Sequence, residues 1–225
     1  MELVLIRHGE PEWVRDGASV GNAPLTERGR QQAELLAEHL RGLEVDELFV
    51  SPLVRAQETA VPIAEALDMA AVTLPWLAEI ATPDWDGTPA DVVAQAFVEG
   101  RNRPLEQQWD GLPGGESFRD FHVRVTQGLQ ALLDERGVVQ TSRHPALWKL
   151  ADPSHRIVFV AHGGTNSVAL GHLLGIEPVP WEWDRFVLAH ASMSRIEPSE
   201  IAGGHSFSLT RLSGVEHLPA DLQTY

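Results

Sequence analysis

Two similar stretches of sequence constrain the fold of this chain more than any other feature. Residues 3–10 read LVLIRHGE, and residues 156–164 read RIVFVAHGG. Each has an apolar, β-branched run that ends at a histidine followed by glycine, which predicts a buried strand and then a turn. If the two strands are parallel neighbours, His8 and His162 leave the sheet side by side. They would do so at the carboxyl edge, where open α/β sheets bind their ligands.

The first stretch also places Arg7 directly before His8. An imidazole can act as a nucleophile or a base, and a guanidinium can hold an anion. Taken alone, RHGE is equally compatible with ordinary polar residues at the end of a strand. The rest of the chain decides between these two interpretations.

Composition excludes several classes of protein. The chain has 225 residues, which suits one large domain, and its 43% apolar content argues against disorder. No apolar run is long enough for a bilayer, and the formal charge of −15 argues against nucleic-acid or anionic-membrane partners. Without cysteine there is no disulfide, thiolate metal site or cysteine nucleophile. Together with the absence of a signal-peptide pattern, this favours a cytoplasmic protein.

On such an acidic chain, a phosphorylated ligand would need a local cationic pocket. Arg55 is a candidate for that pocket because Ser51 and Pro52 predict the start of a helix after a short strand at 47–50. Arg55 then falls in the first helical turn, where free backbone amides already favour an anion. A solvated surface arginine is the alternative interpretation of Arg55 by itself.

Strand and helix patterns alternate along the chain, which predicts an α/β fold in a single domain, 1–225. Residues 75–115 carry three tryptophans and five prolines and are predicted to form a lid-like insertion over the crevice. In this lid, Glu79 lies beside Ile80, and a half-buried carboxyl there could act as a general acid; a plain surface glutamate is the alternative. Residues 138–155 are predicted to be a further insertion, anchored by Trp148. Short segments at 186–188, 193–196 and 207–212 are predicted to be antiparallel edge strands.

Six motifs in a fixed order carry a resemblance to a known family. They are RHGE at 7–10, PLTERG at 24–29, SPLVRAQET at 51–59, LAEIATPDWDG at 77–87, GGES at 114–117 and VAHG at 160–163. The chain resembles the phosphoglycerate mutase-like branch of the histidine phosphatase superfamily. The resemblance implies a three-layer α/β/α sandwich, with a mostly parallel central sheet, an antiparallel edge strand and a lid.

The resemblance also implies roles for the candidate residues. His8 would be the nucleophile that attacks phosphorus, with its other ring nitrogen donating to a backbone carbonyl. Arg7, Arg55 and a charged His162 would surround the phosphoryl oxygens, with the Gly163 amide as a further donor. Glu79 would protonate the leaving alkoxide and later activate water. No metal and no cofactor are implied.

Some positions depart from the family pattern. Pro11 and Val14 stand where the family has a hydroxyl and an asparagine, Pro83 replaces a glycine, and His190 stands where asparagine is common. The departures at Pro11 and Val14 remove groups that would help to hold a bisphosphorylated intermediate, so they favour a phosphatase over a mutase.

The sequence therefore predicts a metal-independent phosphomonoesterase that forms a phosphohistidine and acts on a small phosphorylated metabolite. Two alternatives stay open: a phosphoglycerate mutase-type phosphotransferase, and a catalytically silent relative that binds a phospho-ligand or a protein. The predicted partner is a small phosphorylated substrate, with neither nucleic acid nor membrane, and a homodimer remains an option. The identity of the substrate does not follow from the sequence, because variable insertions supply the leaving-group contacts.

Overall fold

The computed structural model describes residues 1–142 and 144–225. The strands are β1 (Glu2–Arg7), β2 (Val14–Arg15), β3 (Ala18–Ser19), β4 (Glu47–Val50), β5 (Val72–Thr73), β6 (Val139–Gln140), β7 (Trp148–Lys149), β8 (Arg156–Ala161), β9 (Met193–Ile201) and β10 (Gly204–Gly214). The helices are α1 (Glu27–Leu40), α2 (Val54–Leu67), α3 (Ala90–Arg101), α4 (Leu105–Gln108), α5 (Phe118–Glu135), α6 (Gly163–Leu173) and α7 (Glu182–Arg185), with short 3-10 turns at Pro75–Leu77 and Ala220–Leu222.

Eight strands form one central sheet in the order β5-β4-β8-β1-β9-β10-β7-β6. The strands β5, β4, β8 and β1 are parallel, whereas the pairings from β1 through β9, β10 and β7 to β6 are antiparallel. The predicted α/β fold is confirmed. The antiparallel part is larger than the predicted edge strand, because β9 and β10 form a long hairpin and a second hairpin, β6–β7, extends the sheet beyond it.

Helices cover both faces of the sheet, which gives the three predicted layers. Side chains alternate along β1: Leu3 and Leu5 lie in a core with α5 and α6, whereas Val4 and Ile6 lie in a core with α1 and α2. Since both faces of the sheet are buried at β1, its sequence is a continuous apolar run and does not alternate between apolar and polar residues.

The two predicted insertions contain more regular structure than their sequences indicate. Residues 138–155 supply the hairpin β6–β7, and Trp148 is fully buried in the core, as the prediction of an anchor requires. Residue 143 of this insertion lies outside the described residues. The lid, 75–115, contains the twelve-residue helix α3, none of whose residues is buried. The apolar side chains of α3 therefore do not pack into the core. A buried apolar face is what usually reveals a helix in a sequence, through the periodic spacing of its apolar residues.

Side-chain caps start two of the long helices. Thr26 accepts a hydrogen bond from the Gly29 amide at the start of α1, and Ser117 accepts one from the Asp120 amide at the start of α5. The predicted cap at Ser51 is wrong, because α2 begins at Val54 and Leu53 occupies its N-cap position. The predicted strand at 186–188 is also wrong: these residues form an irregular segment after α7.

Within the part of the chain that the structure describes, no helix is both long and apolar enough to cross a membrane.

Candidate active site

The parallel pairing of β1 with β8 brings the two histidines together. Arg7 lies opposite Ala161 at the carboxyl ends of these strands, so the next residues, His8 and His162, leave the sheet side by side. Their ring centroids are 5.1 Å apart, and both side chains are buried. The juxtaposition expected from the sequence is therefore present in the fold.

His8 is held as one neutral tautomer. Its Nδ1 lies 2.7 Å from the carbonyl oxygen of Gly9, which can only accept, so Nδ1 carries the proton. Its Nε2 accepts a hydrogen bond of 3.2 Å from Nε of Arg55, so the lone pair of Nε2 points toward the guanidinium. Burial, and then the charges of His162, Arg55 and Arg7, hold the pKa of His8 well below its ordinary value. His8 is therefore unprotonated at Nε2 at neutral pH.

The backbone after His8 is fixed by a close approach to α1. A Cβ at Gly9 would lie 2.5 Å from the carbonyl oxygen of Gly29, and one at Gly29 would lie 2.1 Å from that of Glu10. The Gly9 amide also donates to the hydroxyl of Thr59, which in turn donates to the Arg55 carbonyl. Gly9 and Gly29 thus allow the backbone after His8 to lie in direct contact with the start of α1.

Two guanidiniums provide the positive charge of the site. Burial lowers the pKa of Arg55 to about 10 and also lowers the pKa of Arg7, and in both cases the Glu79 carboxylate offsets only part of the effect. Both side chains therefore stay charged at neutral pH. The ring of Trp13 lies 4.8 Å from Cζ of Arg55, which makes a cation–π contact at the mouth of the site.

Ser51 is the partner of His162, a role that the sequence did not indicate. Its Oγ lies 2.7 Å from His162 Nε2 and also accepts from the Leu53 amide, so the hydroxyl proton is free to donate to Nε2. When Ser51 donates to Nε2, the proton of the neutral His162 ring is on Nδ1, which is buried and has no hydrogen-bond partner among the described residues. Burial, and then Arg55 and Arg7, hold the pKa of His162 well below its ordinary value, so the protein alone favours the neutral ring rather than the expected charged one.

Glu79 reaches the same edge of the sheet from the lid. Its Oε2 accepts a hydrogen bond of 2.8 Å from the amide of Gly164, in the first turn of α6. Its Oε1 accepts from the Ile80 amide at 3.0 Å. Arg124 of α5 supports this part of the lid by donating to the carbonyl oxygens of Trp76 and Ala78.

Gly163, the predicted amide donor, is the first residue of α6 and lies against Arg7. A Cβ placed there would be 3.7 Å from Arg7 Nε. The structure therefore brings together Arg7, His8, Arg55, His162 and Gly163, with Glu79 bound to the next residue of α6. In residues 1–142 and 144–225 no group of three or more His, Cys, Asp or Glu side chains is placed to hold a metal ion.

Two further polar residues contact this set. His190 Nε2 lies 2.9 Å from Arg7 Nη2, and the His190 ring centroid is 5.8 Å from that of His8. Thr224 Oγ1 lies 2.9 Å from Nδ1 of His190. The sequence marked His190 only as a departure from the family pattern, and nothing in the local sequence marks Thr224.

Comparisons with known sequences and with known structures relate most of this chain to the same family of proteins. The histidine phosphatase superfamily (branch 1) matches residues 3–206. Phosphoserine phosphatase 1 of Hydrogenobacter thermophilus is 34% identical over 128 residues, which is 56% of this chain and 61% of that protein. A probable phosphoglycerate mutase of Enterobacter sp. is 29% identical over 224 residues, 98% of this chain and 96% of that protein.

Among solved structures, the mycobacterial glucosyl-3-phosphoglycerate phosphatase superposes with a TM-score of 0.71 at 25% identity, covering 95% of this chain and 99% of that one. The α/β fold agrees with these matches. The chain therefore belongs to the histidine phosphatase superfamily, branch 1.

Proposed function

We propose that this histidine phosphatase is a metal-independent phosphomonoesterase that acts through a phosphohistidine on a small phosphorylated metabolite. The observation that carries the proposal is the state of His8: its Nδ1 proton is fixed on the Gly9 carbonyl, and its Nε2 lone pair faces a buried guanidinium. A phosphoryl group that enters beside Arg55 takes over the Arg55 N–H, and Nε2 is then free to attack phosphorus.

The proposed reaction has two steps. In the first, Nε2 of His8 forms a bond to phosphorus, the bond from phosphorus to the ester oxygen breaks, and Glu79 gives its proton to the leaving oxygen. In the second, Glu79 takes a proton from water, the water oxygen attacks phosphorus, and the P–N bond breaks. Inorganic phosphate leaves, and His8 and Glu79 return to their starting states.

The positive groups around His8 supply the charge stabilisation. Arg7 and Arg55 donate to the equatorial oxygens, and the free Nδ1–H of His162 adds a neutral donor. Hydrogen bonds to charged groups are each worth about 1.5–3 kcal/mol, so three of them supply a large part of the transition-state stabilisation. These charges belong to the chain itself, which supports a reaction without a metal ion.

The names of the similar proteins also support hydrolysis. Phosphoserine phosphatase 1 and the mycobacterial glucosyl-3-phosphoglycerate phosphatase are both named for removal of phosphate from a small ester. The Enterobacter relative, named a probable phosphoglycerate mutase, favours phosphotransfer as a second candidate because it matches nearly the whole chain. Pro11 and Val14 still argue against that candidate, since they remove a hydroxyl and an amide from the pattern typical of the family.

The test is phosphate release from a panel of phosphomonoesters in the presence of EDTA. We expect turnover by the wild type, no turnover by His8→Ala, and wild-type turnover by His39→Ala, whose side chain is exposed on α1. Intact mass spectrometry of the quenched wild type should show an acid-labile phosphoryl adduct that His8→Ala lacks.

Retained activity in His8→Ala would contradict the covalent mechanism. Loss of wild-type activity in EDTA would contradict the proposal that the reaction needs no metal ion. If phosphate is not released but an isomerised phosphate ester forms in the presence of a bisphosphate primer, the mutase candidate replaces the phosphatase.

A further inference from the structure

A chain of hydrogen bonds links Arg7 to Thr224 through the ring of His190. A guanidinium can only donate, so the 2.9 Å contact from Arg7 Nη2 makes His190 Nε2 an acceptor. The proton of the neutral ring then resides on Nδ1, which donates to Thr224 Oγ1 at 2.9 Å. The Thr224 hydroxyl accepts from this Nδ1–H and so stabilises the tautomer of His190 that accepts from Arg7.

The ring of His190 is held in the neutral state by its surroundings. The side chain is 4% exposed, and the cationic or titratable groups that contact it are Arg7 and the ring of His8. Burial, and then the charge of Arg7, lower the pKa of His190 to about 3. A protonated ring would place a second positive charge beside Arg7 and would remove its acceptor.

Thr224 is itself fixed to the loop that follows the nucleophile. The buried amide of Gln32 donates to Thr224 Oγ1 at 3.0 Å and to the Leu222 carbonyl at 2.7 Å, while its oxygen accepts from the Glu10 amide at 2.7 Å. The His190 amide also donates to the Thr224 carbonyl at 2.9 Å. Gln32 thus joins the RHGE loop to the segment after β10.

These contacts determine which part of Arg7 faces the site. Nη1 donates to the carbonyl oxygen of Leu188, and Nη2 donates to His190. Nε is buried and has no hydrogen-bond partner among the described residues, and it lies beside Gly163. The Nε–H is therefore a donor without a protein partner among the described residues, and it lies at the N-terminus of α6, where an anion can accept from it.

We propose that Thr224 and His190 are positioning residues that orient Arg7 for the phosphoryl group. Thr224 locks the tautomer of His190, and His190 holds the guanidinium so that its Nε–H points into the site. An asparagine at position 190 would also accept from Arg7, but its shorter side chain would not reach Thr224. This inference rests on one part of the proposed function, namely that Arg7 binds the phosphoryl oxygens.

Binding of inorganic phosphate, measured by calorimetry, tests the proposal without requiring turnover. Thr224→Val removes the hydroxyl and keeps the shape, and it should weaken phosphate binding about fivefold to tenfold, the effect of one lost hydrogen bond to a well-oriented group. Thr224→Ser should restore wild-type affinity. Thr210→Val, an exposed change on β10, is the matched control and should bind phosphate as the wild type does.

A double-mutant cycle separates positioning from general loosening of the fold. In a His190→Asn background the hydroxyl of Thr224 has no ring to orient, so adding Thr224→Val should cause no further loss of phosphate affinity. In the active protein, Thr224→Val should lower kcat/KM by at least the factor by which it raises the phosphate dissociation constant, because Arg7 also holds the phosphoryl oxygens in the transition state. Nitrogen NMR of labelled histidine should show His190 protonated at Nδ1 in the wild type and a tautomer mixture in Thr224→Val.

Equal phosphate affinity in the wild type and Thr224→Val would overturn the proposal, as would full additivity in the cycle or failure of Thr224→Ser to restore binding. Absence of phosphate binding by the wild type would overturn it as well. Absence of turnover with phosphate binding that still depends on Thr224 would overturn the proposed hydrolysis and leave the positioning role intact.

Discussion

Gly164 and Glu79 are joined by a hydrogen bond of 2.8 Å from the backbone amide to Oε2. The contact lies in the first turn of α6, where amides without helical partners and the helix dipole favour a carboxylate. The position of Glu79 is therefore determined by a helix that starts at the proposed phosphate site, although Glu79 belongs to residues 75–115.

Gly164→Ala should displace Glu79. The added Cβ would lie 2.5 Å from Oε1, which is closer than nonbonded atoms allow, so the carboxylate has to move. We expect kcat for alkyl phosphates to fall by about 10²-fold, since general acid catalysis is typically worth 10²–10⁴ in rate. Gly171→Ala is the control on the same helix, because its Cβ would meet Glu182 at an ordinary 3.8 Å. Equal rates for Gly164→Ala and Gly171→Ala would contradict the assignment of Glu79.

Glu79→Gln should distinguish substrates by their leaving groups. The amide can still accept a hydrogen bond but cannot protonate the leaving oxygen, so alkyl phosphates should slow by about 10²–10⁴. Release from p-nitrophenyl phosphate should slow far less, because its leaving group hardly needs a proton. Parallel rate measurements on the two substrates check this, and an equal loss on both would identify another group as the acid.

Ser51→Ala should weaken the anion site through His162. Without the hydroxyl, Nε2 of His162 loses its only side-chain partner at 2.7 Å, and the ring is no longer held in the tautomer that places a proton on Nδ1. We expect phosphate affinity to fall about fivefold to tenfold, in line with one lost hydrogen bond. Ser199→Ala, an exposed change on β9, should leave the affinity unchanged. An unaltered dissociation constant in Ser51→Ala would mean that His162 does not depend on Ser51.

Acid should destabilise the fold through its buried histidines. Their folded-state pKa values lie well below the ordinary value for His8 and His162 and at about 3 for His190, so the unfolded chain binds protons that the folded chain excludes. Stability is therefore full above about pH 6.5 and falls as the pH drops below it, by about 1.4 kcal/mol per pH unit for each such histidine.

In His190→Asn, the free energy of unfolding should depend less steeply on pH between about pH 6 and pH 4. The difference from the wild type should equal the contribution of one histidine. Urea unfolding at a series of pH values measures the slope. His144→Ala, which removes an exposed histidine, is the control for a simple loss of one imidazole. Parallel slopes for His190→Asn and the wild type would mean that His190 is not held neutral in the folded protein.

The sequence predicted those parts of the site that strand pairing determines. The apolar runs before His8 and His162 are strong strand signals, and parallel pairing then places both histidines at one edge. Ser51 was misassigned because a serine before proline has the signature of a helix cap, whereas its hydroxyl faces His162 across the sheet edge. Local patterns do not reveal such a partner 111 residues away in the chain.

Thr224 and the second hairpin were missed for a related reason. Thr224 reaches His190 only because the segment after β10 returns to the site, and no periodicity marks that return. The two-residue strands β6 and β7 are too short to show alternation, and they belong to the sheet through pairing with each other and with β10.

The contact between Gly9 and Gly29 has a mechanical consequence. Because neither position has room for a methyl group, the loop that carries His8 cannot shift without moving the start of α1 with it. His8 is thus tied to α1 by backbone contact, whereas Glu79 is tied to α6 by a hydrogen bond from the Gly164 amide. A methyl group at residue 9 or at residue 29 would push the loop that carries His8 away from α1.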